Sequence, residues 1–151
     1  MLKHVWSVIC GKSSIDKETN NVSLFDVLEQ LSFAASGQDI EQVKETARKD
    51  HVVVPFNFEV TSLWERSDVG VDLTVETEIT VVDPNNKRLQ SFSNTLTFPV
   101  GKRRMRVANR ISGMPVTESG IYHVVVALKE KEGENYKPYA EIPLEIAVTF
   151  G

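Results

Sequence analysis

The sequence predicts a mainly β fold: an antiparallel β-sandwich of about seven strands with one short helix. Residues 69 to 82 carry the clearest signal, with Val69, Val71, Leu73, Val75, Ile79 and Val81 on one parity and Asp72, Thr74, Glu76, Glu78 and Thr80 on the other. That alternation marks a strand with one buried and one wet face. Clusters of turn-forming residues separate this run from similar ones at short spacing, as in a sandwich rather than a doubly wound α/β fold. A single short helix is expected.

Taken in order, residues 2 to 10 form the opening strand, and Asn20-Asn21 marks the reversal after it. In the next segment Ser23 precedes Leu24, Val27, Leu28 and Leu31, which fits a serine-capped helix as well as a strand; the spacing of its flanking turns favours a strand over 23–32. Residues 39–49 are the expected helix, with Asp39 as cap, Ile40, Val43 and Ala47 on one face, and Glu45 four residues before Lys49. Val52, Val54, Phe56, Phe58 and Val60 then alternate until the phase slips near Leu63 and Trp64, the signature of a bulge or a strand end.

Asp83-Pro84-Asn85-Asn86-Lys87 supplies the φ preferences of a tight reversal, so the strand ending at Val82 and the next, at 88–98, form a hairpin. Pro99-Val100-Gly101 turns the chain again before Lys102 to Ile111. There Met105, Val107 and Ile111 alternate with Arg104, Arg106 and Arg110. Ile121 to Lys129 and Tyr139 to Phe150 make a final hairpin across the charged loop Glu130 to Asn135. Pro143 cannot donate a ladder hydrogen bond, which puts the last strand at a sheet edge or turns that position to solvent.

The 151 residues suit one domain, 1–151, and the 41% hydrophobic and 25% charged content is that of a folded globular chain. A net charge of -4 gives no global field toward nucleic acid or an anionic membrane, so either partner would need a local site. Cys10, the single cysteine, allows no internal disulfide and no multi-cysteine zinc site. No apolar run approaches a membrane span, and the N-terminal run is too short and interrupted for a signal peptide, so the expected location is cytoplasmic.

Ser119-Gly120-Ile121-Tyr122-His123-Val124-Val125-Val126 resembles the sixth strand of an immunoglobulin-type sandwich, with Gly120 and Tyr122 in structural roles. The resemblance implies that the Tyr122 hydroxyl bonds to backbone around Gly113 to Thr117. Val124 stands where that motif has a cysteine, so the antibody-type disulfide is missing. Over nearly its whole length the chain is also similar to a family of small bacterial proteins of unknown function with this fold. The carrying features are Leu2 to Cys10, Leu24-Phe25-Asp26-Val27, the Gly120-x-Tyr122 corner and Ile142-Pro143-Leu144. The resemblance implies an immunoglobulin-like fold and supplies no activity.

Candidate chemistry is sparse. Gly11-Lys12-Ser13 has the end of a phosphate-binding loop but Trp6 where its first glycine belongs, and reads as a polar hairpin turn. His4, His51 and His123 lack metal-ligand spacing, and no catalytic constellation emerges, so no catalytic residue, metal or cofactor is assigned. Cys10 reads as a small buried hydrophobe.

Binding candidates are Arg104, Arg106 and Arg110, which alternation places on one strand face, Lys102 at the start of the same charge run, and Trp64, either a rim aromatic or a core residue. The arginines either meet an acidic or phosphate-bearing partner or lie opposite acids such as Glu76 and Glu78.

The leading expectation is a non-catalytic binding or assembly module acting through a sheet face, loop end or edge strand. Its partner is a protein, or a second copy paired along Ile142 to Phe150, rather than a membrane. A nucleic-acid or phospholigand binder using the arginine face, or a small enzyme without a legible site, stands behind it.

Overall fold

The computed structural model describes residues 2–35 and 52–150, and every regular element among them is a strand. The helix expected at 39–49 lies outside the described residues, as does His51. In chain order the strands are β1 (Leu2–Ile15), β2 (Val22–Val27), β3 (Gln30–Ala35), β4 (Val52–Arg66), β5 (Leu73–Val82), β6 (Arg88–Phe98), β7 (Arg104–Val116), β8 (Gly120–Lys129) and β9 (Lys137–Phe150). They form a four-stranded sheet, order β2-β1-β4-β7, packed on a five-stranded sheet, order β3-β9-β8-β5-β6. The inward faces of both contribute one apolar core that includes Phe58, Trp64, Ile79, Phe98, Met114, Tyr122 and Leu144.

The described residues form nine strands rather than the expected seven or so, in part because one predicted segment is split in two. The 23–32 segment is strand, but it breaks at Leu28-Glu29 and crosses from one sheet to the other as β2 and β3. β3 then pairs with β9 in parallel, Gln30 opposite Glu145 through Ala35 opposite Phe150, so the sandwich is not wholly antiparallel. This corrects the expected edge at Ile142 to Phe150, since β9 lies between β8 and β3 over its second half. The amide of Glu145 donates to Glu29 O, so strand alternation turns position 143 away from β8 as well. Pro143 therefore removes no β8 ladder bond, and sits where β9 has no described partner on that side.

Three boundaries also move. The first strand runs on through Gly11-Lys12-Ser13 to Ile15, and the reversal is Asp16 to Asn21 instead. Asp16 Oδ1 accepts the amides of Glu18 and Thr19 there, and Asn20 takes a left-handed φ of 59°.

The alternating strand begins at Leu73, leaving Val69 and Val71 in the preceding loop; Val71 is 59% exposed. Its carbonyl is taken by Arg66, whose guanidinium also holds Lys102 O and Pro99 O. An apolar parity thus continues into a loop that a side chain, not a ladder, holds in place.

Finally, β4 shows no break at Leu63-Trp64. Phe58, Val60, Ser62, Trp64 and Arg66 all face inward and are buried. The apparent slip arises because polar Ser62 takes an inward position, hydrogen-bonded to Ser7 at 2.7 Å, while apolar Leu63 faces out. The bulge lies across the ladder, in β1 between His4 and Trp6.

Candidate functional site

The outer face of the four-stranded sheet is built in cross-strand rows from β1 through β4 to β7. Lys3, Glu65 and Arg104 form one row, followed by Trp6, Leu63 and Arg106, then Val8, Thr61 and Ala108, then Cys10, Glu59 and Arg110. The bulge at Val5 brings Trp6 onto this face. Arg104, Arg106 and Arg110 share it, as strand alternation requires.

Their partners differ. Arg110 Nε lies 3.1 Å from Glu59 Oε1, and Ser13 Oγ donates to the other oxygen of that buried carboxylate at 2.7 Å. Arg104 Nε lies 3.5 Å from Glu65, in an exposed pair of small energetic weight. The acids opposite the arginines therefore come from β4, not from Glu76 and Glu78. Those two pair with Lys129 and Arg88 on the other sheet, and the Lys129 ammonium holds the Glu76 carboxyl below its usual range.

Arg106 faces Leu63, and no described carboxylate neutralises it. Its Nη2 and Nη1 donate to the single carbonyl of Asn20, at 2.8 and 3.3 Å, while Nε is shut off from solvent with no hydrogen-bond partner among the described residues. A buried donor without a partner costs about 1–3 kcal/mol.

Around it lies a groove of about 680 Å3. Trp6, Leu63 and Met105 supply apolar lining, Lys102, Arg104 and Arg106 the charge, and Thr19 to Val22 a wall from the β1–β2 turn. Of the sequence candidates, Lys102, Arg104 and Arg106 come together here. Arg110 is two rows away and engaged by Glu59.

Trp64 is no rim aromatic. It is 1% exposed, with its ring edge-on to His4 and Tyr139 at centroid distances of 5.0 and 5.4 Å. The tryptophan of the groove is Trp6, which sequence reasoning missed. The available signal was the apparent slip at Leu63, which marks an apolar residue facing outward beside an arginine.

The remaining candidates stand apart. His4 belongs to β1 and His123 to β8, in different sheets, and no three His, Cys, Asp or Glu side chains among the described residues are grouped to hold a metal. His4 Nε2 is 2.6 Å from Ser7 Oγ, and burial lowers its pKa. Cys10 is fully buried; loss of hydration, with the Glu59 charge adding, raises its pKa, against a weak contact to Thr61.

A second groove of about 440 Å3, lined by Val8, Ile9, Val27, Leu28, Ile142 and Pro143 among others, lies beside the β2–β3 crossover. No described helix is long and apolar enough to cross a membrane.

No protein-family model matches the chain, and no curated protein matches it at significant similarity. The structure shows a β-rich fold of two packed sheets, and the resemblance to small bacterial proteins stands on the quoted motifs alone.

Proposed function

We propose that this is a non-catalytic binding module of immunoglobulin-like topology that takes an acidic segment of a partner protein on the outer face of its four-stranded sheet. For the topology, the order β9-β8-β5-β6 follows the G-F-C-C′ order of such sandwiches, and β1-β4-β7 follows A-B-E. The Tyr122 hydroxyl at the start of β8 accepts the Thr117 amide at 2.9 Å, at the end of the stretch the resemblance indicates.

The observation that carries the binding reading is the unneutralised Arg106 in one groove with Lys102 and Arg104, a groove with an apolar side. A cation without a carboxylate beside exposed apolar surface complements an anion attached to an apolar group. Among anions, a short acidic segment fits better than a nucleic acid. The chain carries -4 overall, so a long polyanion reaching beyond the groove meets repulsion, while a short segment within a screening length of about 8–10 Å meets mainly the three cations.

Titration of the full chain with hexaglutamate, followed by amide chemical shifts, tests this reading. Shifts centred on Trp6, Lys102, Arg104 and Arg106 that weaken as salt rises are expected. Tighter binding of a thymidine oligonucleotide at the same residues moves the assignment to nucleic acid, and shifts elsewhere or none defeat it.

A further inference from the structure

We propose that Arg106 is the residue that reads the anion in this groove, and that its ligand is an extended segment bearing a carboxylate two residues from a large apolar side chain. This deepens the binding reading above and rests on it.

The hydrogen bonds of Arg106 supply the first argument. A guanidinium makes its strongest match when two parallel N–H groups meet the two oxygens of a carboxylate. Arg106 instead spends both terminal nitrogens on one neutral oxygen, Asn20 O, and leaves Nε without a partner. A carboxylate that takes the place of Asn20 O meets the two terminal nitrogens with two charge-assisted bonds where they now share one neutral oxygen. Release of Asn20 does not dissolve the turn, because Asp16 accepts the amides of Glu18, Thr19 and Asn20 and its own amide donates to Asn21 O.

Row geometry supplies the second. Trp6 and Arg106 flank Leu63 on adjacent strands, so their backbones stand about 10 Å apart at the usual spacing of 4.7–4.9 Å per strand. An extended segment laid across the strands advances about 3.3 Å per residue. A carboxylate over Arg106 then puts the side chain two residues on, which shares its face of the segment, about 6.6 Å along toward Trp6, and side-chain reach spans the remainder. Lys102 and Arg104 line the same groove and contribute attraction rather than register.

Two capped peptides of identical composition test this. In one a glutamate stands two residues from a phenylalanine, and in the other they occupy opposite ends. The first is expected to bind about tenfold more tightly, and Arg106→Lys, which keeps the charge but loses the fork, to lower that affinity about tenfold. Arg88→Lys, the same exchange on the other sheet, is expected to leave it unchanged. In the unsubstituted protein the Arg106 Nε proton resonance is expected to shift on adding the first peptide, and this decides the matter if the variant does not fold. Equal affinity for the two peptides, or wild-type affinity in Arg106→Lys, overturns the inference while hexaglutamate still binds. Failure of hexaglutamate and both peptides to bind removes the groove reading itself.

Discussion

Thr117 Oγ1 donates to Asp83 Oδ2 at 3.1 Å, joining the connection before β8 to the turn between β5 and β6. Asp83 is buried, and its Oδ1 accepts the amides of Asn85 and Lys87 at 2.9 and 2.8 Å. Thr117 and Glu118 in turn give their amides to the Tyr122 hydroxyl, which donates to Glu118 O at 2.6 Å. One hydroxyl and one carboxylate thus satisfy the polar backbone of two turns that pack together.

Tyr122→Phe removes that hydroxyl with almost no change of shape. Two amides and a carbonyl lose their partner in a partly buried corner, so a loss of about 1–3 kcal/mol is expected in urea unfolding. A change below about 0.5 kcal/mol, within the scatter of neutral surface substitutions, would show that the corner does not depend on it.

Arg66 shows the same economy at the other end. Its Nε, Nη1 and Nη2 donate to the carbonyls of Lys102, Val71 and Pro99 at 2.8, 2.6 and 2.7 Å, and its guanidinium lies 5.4 Å from the Phe98 ring centroid. Arg66→Met fills the volume but strands three carbonyls, so about 3 kcal/mol of stability should be lost. Because Lys102 lies in the groove wall, hexaglutamate affinity should fall too. An unfolding midpoint equal to wild type counts against the role assigned to Arg66.

Much of this architecture is legible in the alternation of apolar residues, because each strand with one wet face writes its period into the sequence. The legible part stops where polar and apolar residues exchange faces. Ser62 faces in because Ser7, itself bonded to His4, gives it a partner, and Leu63 faces out because it belongs to the groove. Read as a pattern, that exchange looks like the end of a strand. The pairing of β3 with β9 left no trace either, since which strand lies beside which is fixed by the crossover at Leu28-Glu29 and not by periodicity. At the site, the charges Lys102, Arg104 and Arg106 were visible. Trp6 was not, because its face depends on a bulge, and Trp64 offered a more conspicuous candidate.

Cys10 offers a test of burial. The side chain lies in the row with Glu59 and Arg110 on an outer sheet face, yet it is fully buried, and its raised pKa keeps it as thiol at neutral pH. A buried thiol reacts slowly because both access and the thiolate form are lacking. Ellman's reagent should modify the native protein far more slowly than the protein in denaturant. Equal rates mean that this face opens on the time scale of the assay.

His4 gives the protein an acid-sensitive contribution whose direction follows from its surroundings. The imidazole is hydrogen-bonded to Ser7 and edge-on to Trp64, and burial lowers its pKa from 6.5. The unfolded chain therefore takes up this proton first as pH falls. Stability from His4 is complete above about pH 6.5 and declines as pH drops from there toward the lower folded value. Carboxylates with lowered values, such as Asp16 and Glu76, weaken the fold only in a more acidic window, as they are protonated. Thermal unfolding at intervals between pH 7.5 and 5 should thus show an early loss that His4→Gln, which keeps a hydrogen-bonding group but does not titrate, abolishes. A profile unchanged by His4→Gln would place that early loss at another group and leave the His4–Ser7–Ser62 chain as packing alone.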